Sequence, residues 1–262
     1  MSVAFDIAET LHALADAAAR ETLPRFRAPI EVRNKLRSGF DPVTEGDREG
    51  ERAVRAVIER RFPAHSIIGE EFGTKTGGDG WTWIIDPIDG TRAFVSGLPL
   101  WGTLIGLYRD GRPHAGMLAQ PFTGERFWSD GTGAWFARDG GQAEALTASP
   151  VEDLAQATIM TTDPGLFEGA EERSWRRLAT ETRLRRYGCD CYAYAMVAAG
   201  HAELVVESGL HVYDIAALIP IIEGAGGVVT AWDGTSAAGG GRVVAAANPT
   251  LHAAALTVLA GA

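Results

Sequence analysis

The chain has few cysteines and no long apolar run. Cys189 and Cys191 are the two cysteines among its 262 residues, and cysteines one residue apart seldom bridge each other. Their spacing matches neither a Cys-x-x-Cys redox pair nor a zinc knuckle, so we interpret both as small buried apolar residues. No apolar stretch approaches the roughly 18 residues that a membrane helix needs. The sequence therefore predicts neither a disulfide framework nor a membrane partner.

Positive charge is also scarce. The chain carries 24 Lys and Arg against 34 Asp and Glu, a formal net charge of −10. Because proteins that bind nucleic acids concentrate basic residues on the contact surface, this balance predicts no nucleic-acid partner. Asp6 and Glu9 lie where a secretory signal peptide would be basic and then apolar, so we expect a cytoplasmic protein.

Several common catalytic motifs are missing as well. The six histidines form no His-x-His or His-x-x-x-His pair, which disfavours zinc relative to a site built from oxygen ligands. The sequence contains no Gly-x-Ser-x-Gly elbow and no Gly-x-x-x-x-Gly-Lys phosphate loop. The glycine-rich residues 224–227 follow a predicted helix and precede a strand, which is typical of a helix C-terminus rather than of a dinucleotide turn.

Apolar periodicity predicts two halves of different organisation. Up to about residue 145, two helices precede strands joined by glycine-containing turns, which indicates an antiparallel sheet with helices packed on it. After about residue 146, strands alternate with helices, which predicts a mixed sheet. Without a repeat or a low-complexity linker, we expect one α+β domain over residues 1–262. The predicted helices are 3–28, 44–62, 169–182, 190–199, 214–223 and one beginning at 248–249; the predicted strands are 65–69, 81–85, 101–108, 115–119, 126–129, 133–137, 158–161, 184–187, 202–207, 228–231 and 242–247; the predicted loops are 34–46 and 74–80.

The most informative stretch is residues 81–91, in which a predicted buried strand ends in Asp-Pro-Ile-Asp-Gly-Thr. Asp86 and Asp89 have no basic neighbour before Arg92, so their close packing would be costly unless a cation lay between them. Carboxylate and carbonyl oxygens suit Mg²⁺ or Mn²⁺. The N–H groups of a helix beginning at Gly90 would add an anion site, and a metal beside an anion site indicates phosphate chemistry. The alternative is local, with Asp89 as a helix N-cap and Asp86 as a turn residue.

Three further acids lie at comparable positions. Glu70 follows a short predicted strand, and if that strand neighbours the one before Asp86, the two carboxylates meet; the alternative is a solvated corner. Asp214 directly precedes an apolar helix, either as its N-cap or as a fourth carboxylate aimed at the same cleft. Asp47 and Thr44 have the spacing of a capping box, which leaves room for Asp47 also to polarise a hydroxyl.

These motifs together resemble the inositol monophosphatase family over about residues 35–230. The resemblance rests on residues 70–71 (Glu-Glu), 86–91, 213–217 (Tyr-Asp-Ile-Ala-Ala) and 226–227 (Gly-Gly). It implies a layered α-β-α-β-α sandwich, a homodimer, and two or three Mg²⁺ ions per site, with Mn²⁺ as a substitute. The implied metal ligands are Glu70, Asp86, the Ile88 carbonyl, Asp89 and Asp214.

The same resemblance implies the reaction, which is hydrolysis of a phosphate monoester by activated water without a covalent intermediate. Thr91 with Asp47 would activate the water, together with Glu70, and the amides of Gly90 and Thr91 would hold the phosphate. Residues 94–105, with Arg92 in place of a small residue and Ser96 in place of histidine, depart from the inositol enzymes. With residues 188–194, they resemble the histidinol-phosphate phosphatase branch of the family.

Histidinol phosphate carries an ammonium group and an imidazole, so an acidic lining would favour it. Asp190 and Glu207 are the candidates for that lining; their local alternatives are a helix N-cap and a solvated acid at a strand end. Arg185 or Arg186 would meet phosphate or a partner subunit, unless they are surface charge, and Lys35 would approach the site on closure, unless it is an ordinary exposed lysine. The predicted substrate-binding set is Asp89, Gly90, Thr91, Arg92, Arg186, Asp190, Glu207 and Asp214.

Three other functions compete with this interpretation. An inositol or other sugar-alcohol monophosphatase would use the same acids. A phosphatase of the haloacid dehalogenase type needs an Asp-x-Asp nucleophile motif, and Asp86 and Asp89 are one residue too far apart for it. A catalytically silent sugar-phosphate-binding protein would not need the full set of acids together with Asp47 and Thr91.

Overall fold

The computed structural model of the chain describes residues 5–29, 31–34 and 42–261. Lys35, and with it much of the predicted loop at 34–46, lies outside the described residues. Within the described ranges, no helix combines the length and the apolar character that crossing a membrane requires.

Eight α-helices occur in the described residues. Each of the long predicted helices is present, with ends that shift by a few residues. The helices are α1 Ile7–Thr22, α2 Glu45–Arg61, α3 Thr91–Val95, α4 Ala170–Glu181, α5 Asp190–Ala198, α6 Val212–Ile215, α7 Leu218–Gly224 and α8 Pro249–Ala260.

The strands of the described residues form a short two-stranded ladder and two large sheets. The ladder pairs β1 with β2, the first large sheet has the order β10-β9-β8-β7-β6-β5-β3-β4, and the second has the order β12-β11-β13-β15-β14. The strands are β1 Arg33–Asn34, β2 Pro42–Val43, β3 Ser66–Gly69, β4 Gly73–Lys75, β5 Trp81–Asp89, β6 Gly102–Arg109, β7 Arg112–Gln120, β8 Glu125–Ser129, β9 Ala134–Arg138, β10 Glu144–Ala145, β11 Thr158–Thr161, β12 Leu184–Tyr187, β13 Leu204–Leu210, β14 Val228–Ala231 and β15 Gly241–Ala246.

Buried side chains arrange these elements in five layers. Helices α1 and α2 cover one face of the first sheet, where Val54 and Trp83 share a buried cluster. Helices α5 and α7 fill the space between the sheets, in a cluster that joins Leu104 of β6 to Val205 of β13. The next residue, Val206, points to the other face, into the cluster of α4 and α8. The predicted α-β-α-β-α sandwich is therefore confirmed.

The first sheet is antiparallel as predicted, with one exception. β3 and β5 run parallel, with Gly69 opposite Ile85, because the chain first turns back along the sheet edge as β4 before it enters β5. The second sheet is mixed as predicted, since β11 runs parallel to both of its neighbours whereas β15 runs antiparallel to β13 and β14.

Several predicted boundaries are wrong for identifiable reasons. The predicted loop at 74–80 begins with β4, and β1, β2 and β10 were also not predicted, because two or three residues carry too little periodicity. The predicted helix at 214–223 begins two residues earlier and is divided into α6 and α7, where Pro220 has no N–H to continue the backbone ladder. The predicted helix at 3–28 ends as an α-helix at Thr22, just before the turn that contains Pro24.

A pair of glycines lets the junction between α6 and α7 rest directly on the first sheet. Gly106 and Gly116 are partners across β6 and β7. A Cβ at Gly106 would lie 2.7 Å from the Cβ of Ala216, and one at Gly116 would lie 2.4 Å from the backbone oxygen of Ala217. Side chains at these positions would lift the helices away, so the glycines fix the depth at which α6 sits.

We predict that Gly116→Ala destabilises the protein. The added methyl group meets backbone atoms that cannot move independently, so we expect the free energy of unfolding to fall by about 1–3 kcal/mol. Denaturant titration followed by circular dichroism measures this change. Gly78→Ala is the matched control, because a Cβ there meets nothing within 4 Å. Equal stabilities of the two variants would contradict the close approach.

Candidate active site

The site begins where β3 and β5 lie side by side. Glu70 immediately follows β3, and its backbone N–H donates to the Ile85 carbonyl at 3.3 Å. The Glu70 side chain thereby reaches the Asp86 carboxyl, which is 2% exposed. The predicted adjacency of the two strands is confirmed, and the solvated corner proposed as the alternative for Glu70 is wrong.

An irregularity in β5 decides the directions of Asp86 and Asp89. In a regular strand, residues three apart point to opposite faces of the sheet. Here Asp86 pairs with Leu104 whereas Asp89 pairs with Gly102, so β5 has one more residue than β6 over this span. This extra residue acts as a β-bulge and brings both carboxylates to the same place.

The third carboxylate comes from the other half of the chain. Asp86, Asp89 and Asp214 offer oxygen atoms that all lie within 4.8 Å of one another. Asp214 lies in α6 and accepts a hydrogen bond from the backbone N–H of His211 at 2.7 Å. His211 is the N-cap of α6, so the interpretation of Asp214 as the N-cap is wrong. Asp214 holds the start of its helix from the third helical position and still reaches the cluster.

Burial and mutual repulsion dominate the electrostatics of this cluster. Loss of hydration raises the pKa of Asp86 well above its usual range, and the charges of Glu70, Asp89 and Asp214 raise it further. Burial likewise raises the pKa of Asp89, with contributions from Asp190 and Asp214. A bound cation would relieve both costs. The donor set consists of hard oxygen atoms, which fits Mg²⁺.

Asp47 meets Thr91 beside this cluster. Asp47 is 1% exposed, and its carboxylate accepts from the backbone N–H and the hydroxyl of Thr44 at 2.7 and 2.6 Å, so the predicted capping box is confirmed. Its other oxygen lies 3.4 Å from the Thr91 hydroxyl, which is also 3.0 Å from the Ile88 carbonyl. Burial raises the pKa of Asp47 to about 6, against the lowering effect of the Thr44 hydrogen bonds. Asp47 thus forms the predicted capping box and also lies within reach of the Thr91 hydroxyl, whereas its role in polarising that hydroxyl stays a prediction.

Gly90 and Asp190 form the neighbouring wall. Gly90, with a φ of +80°, is the N-cap of α3, so the alternative of Asp89 as an N-cap is wrong. A Cβ at Gly90 would lie 3.2 Å from the Cβ of Asp190. Burial raises the pKa of Asp190 to about 6, and the Arg92 guanidinium counteracts that rise. Asp190 is the first residue of α5 and follows the N-cap Cys189, so its alternative as an N-cap is also wrong.

Glu207 and the two arginines have different surroundings. Glu207 is buried and accepts from the Thr162 N–H at 2.6 Å and the Thr161 hydroxyl at 3.2 Å, so the alternative of a solvated acid is wrong. Burial raises its pKa to about 7, with a smaller contribution from Asp190. Arg185 and Arg186 are exposed on β12. Contacts of Glu207 and Arg186 with a substrate stay predictions.

Some contributions to the site escaped the sequence analysis. The backbone N–H of Cys191 donates to the Asp89 carboxylate at 2.7 Å and thereby ties α5 to the bulge of β5. Cys191 is buried as predicted, whereas Cys189 is half-buried. A backbone donor cannot be recognised from the identity of its side chain. The only signal for it is that residues 188–194 include the start of a predicted helix, where free N–H groups occur.

Comparisons with known proteins identify chains that are related to this one. A sequence model of the inositol monophosphatase family matches residues 5–261. The chain is 38% identical over 259 residues to the bifunctional phosphatase IMPL2, chloroplastic, of Arabidopsis thaliana, which covers 95% of this chain and 73% of that protein. It is 38% identical over 257 residues to the histidinol-phosphatase of Mycobacterium tuberculosis, which covers 94% of this chain and 95% of that protein. An inositol monophosphatase structure from Zymomonas mobilis matches with a TM-score of 0.84 and 38% identity, over 96% of both chains.

The family match spans nearly all of the described residues, and both sequence relatives exceed 30% identity over most of the chain. The matched range therefore includes the residues of β5 and α6. The chain belongs to the inositol monophosphatase family, a family of metal-dependent phosphatases.

Proposed function

We propose that this protein is a Mg²⁺-dependent histidinol-phosphatase, which converts histidinol phosphate and water to histidinol and phosphate. The observation that carries the phosphatase chemistry is the convergence of Asp86, Asp89 and Asp214 within 4.8 Å, beside the start of α3. Three carboxylates at this separation are stable together when cations lie between them, and carboxylate oxygens are ligands that suit Mg²⁺.

The chain supplies the ligands for that metal. Glu70, Asp86, the Ile88 carbonyl, Asp89 and Asp214 would hold two or three Mg²⁺ ions, with Mn²⁺ as a substitute. When bound, Mg²⁺ neutralises charge on the transferring phosphoryl group and lowers the pKa of water.

Asp47 and Thr91 would handle the proton of the attacking water. The Thr91 hydroxyl can pass a proton to Asp47, whose pKa of about 6 lies close enough to neutral pH for a general base. The amides of Gly90 and Thr91, at the start of α3, would bind the phosphate oxygens and hold phosphorus in line with the water. Positioning and charge stabilisation carry most of phosphoryl transfer, so no covalent intermediate is needed.

Asp190 supports the choice of substrate. It adds a carboxylate next to the phosphate-binding turn, where the ammonium or imidazole of histidinol phosphate would pair with it. Overall similarity does not decide between substrates, because the relative named as a histidinol-phosphatase and the structure named as an inositol monophosphatase are both 38% identical to this chain. An inositol-1-monophosphatase is therefore the second candidate function.

The remaining expectations concern the whole protein. We propose a homodimer, as the family resemblance led us to expect, and a location in the cytoplasm. Both are accessible to measurement, by light scattering and by fractionation.

We predict that Asp86→Asn abolishes turnover while the fold survives. The substitution removes one ligand charge, and metal-assisted charge stabilisation is worth several kcal/mol, so kcat/KM should fall about 100-fold or more. Because the lost charge also relieves repulsion within the cluster, the metal-free variant should unfold at no lower a temperature than the wild type. Phosphate release and thermal unfolding test the two halves of this prediction. Asp233→Asn, in the turn between β14 and β15, is the control that keeps activity.

The pH dependence offers a separate test of Asp47. A general base works when ionised, so with saturating Mg²⁺ the kcat/KM should fall toward acidic pH as Asp47 becomes protonated. Thr44→Ala removes a hydrogen bond that lowers the pKa of Asp47 and should move this fall to higher pH. Thr44→Ser keeps the hydroxyl and should leave it in place. Identical profiles for all three proteins would exclude Asp47 as the base.

Substrate choice is tested with two phosphate monoesters side by side. The wild type should hydrolyse histidinol phosphate with a higher kcat/KM than inositol 1-phosphate. Asp190→Asn removes the charge that pairs with the cationic substrate, so it should lower kcat/KM for histidinol phosphate about 10-fold or more and change inositol 1-phosphate hydrolysis little. A wild-type preference for inositol 1-phosphate would overturn the proposed substrate and leave the phosphatase chemistry intact.

A further inference from the structure

A buried carboxylate on α2 has no role in the chemistry described so far. Glu51 is fully buried, at 0% exposure, in the middle of the helix. Glutamate is seldom fully buried, and a fully buried glutamate usually has specific hydrogen-bonding or charged partners. It lies four residues after Asp47, so the two side chains share one face of α2 and point toward the same end of the first sheet.

The partners of Glu51 belong to the turn that carries Glu70. One carboxylate oxygen accepts from the backbone N–H of Glu71 at 2.7 Å, and the other accepts from the N–H of Phe72 at 3.3 Å. Arg55 completes the arrangement, because its Nε lies 2.6 Å from Glu51 and its guanidinium also donates to the Gly73 carbonyl.

The turn is shaped to admit this carboxylate. A Cβ at Gly69 would lie 1.9 Å from Oε1 of Glu51 and 2.3 Å from its carboxyl carbon. Any other residue at position 69 would push the carboxylate out of reach of the turn. Glycine at 69 and glutamate at 51 are therefore two parts of one contact.

Glu70 is thus held on both sides. Its own N–H is bound to the Ile85 carbonyl of β5, and the N–H groups of the next two residues are bound to Glu51. We propose that Glu51 is a positioning residue, which fixes the turn after β3 so that the Glu70 carboxylate faces Asp86 and is ready to bind metal. This inference rests on the proposed function, since it assigns Glu70 to the metal site.

Helix α2 also contacts the site on two sides, at Thr91 and at the turn that carries Glu70. Asp47 reaches Thr91 from the first turn of α2, and Glu51 reaches the Glu70 turn from the second. A single helix therefore sets the position of the proposed base relative to a proposed metal ligand. Interactions that orient a metal ligand contribute to metal affinity, so the loss of Glu51 should weaken metal binding.

The test compares Glu51→Ala and Glu51→Gln with the wild type and with Glu49→Gln, an α2 control whose carboxylate pairs with Arg52 nearer the surface. Two titrations are made. Mn²⁺ binding to the metal-free protein is followed by electron paramagnetic resonance without substrate, and phosphate release is followed against Mg²⁺ concentration. Glu51→Ala should raise both midpoints about 10- to 100-fold, the usual effect of losing an interaction behind a metal ligand, with little change in KM at saturating Mg²⁺.

The titration midpoints of Glu51→Gln should lie between those of Glu51→Ala and the wild type, because the glutamine amide oxygen can accept from one of the two N–H groups. If Glu51→Ala does not fold, the Glu51→Gln titrations decide. Wild-type midpoints in a folded Glu51 variant would overturn the positioning role. If the wild type and Glu49→Gln still turn over substrate with Mg²⁺, only the positioning role of Glu51 is overturned. If neither protein shows Mg²⁺-dependent turnover, the phosphatase proposal itself is contradicted.

Discussion

The repulsion among converging carboxylates is the constraint on which the rest of this structure depends. Oxygen atoms of Asp86, Asp89 and Asp214 lie within 4.8 Å of one another, with Asp86 buried and the other two half-buried, and their mutual repulsion would drive them apart if the backbone did not hold them. The backbone does hold them, because each acid accepts an N–H from a fixed element. The donors are Ile88 for Asp86, Cys191 for Asp89 and His211 for Asp214, at 3.0, 2.7 and 2.7 Å.

Those donors come from both halves of the chain, so the site exists only when the halves are packed together. β5 supplies two acids from the first sheet. The third comes from α6, whose junction with α7 packs on Gly106 and Gly116. The cluster of buried side chains around α5 and α7 joins the two sheets behind the site. Holding the acids together costs folding free energy locally, and burial of the surrounding apolar side chains offsets that cost.

The acids of the cluster and the residues around them divide the chemistry of the site. In the proposed function, the cluster with Asp47 and Thr91 would act on the phosphate and the water, which are common to the hydrolysis of every phosphate monoester. Asp190 and Arg92 lie on the adjoining wall, where the proposed function places the remainder of the substrate. On that proposal, a change in this wall would alter the substrate without disturbing the metal ligands, which is consistent with two relatives that are each 38% identical to this chain and carry different substrate names.

The sequence by itself determined most of the helices and longer strands, and it indicated which acids would converge. Periodicity located β11, β12 and β14 to the residue and α2 to within one residue at each end, because apolar spacing is a local property. The motif at residues 86–91 likewise contained the acids and the helix start. Only the tertiary structure decided that β3 runs parallel to β5, that a bulge turns Asp89 toward Asp86, and that Glu51 faces the Glu70 turn. These depend on contacts between residues far apart in the chain, such as Asp89 with Cys191, and no local pattern encodes such a pairing.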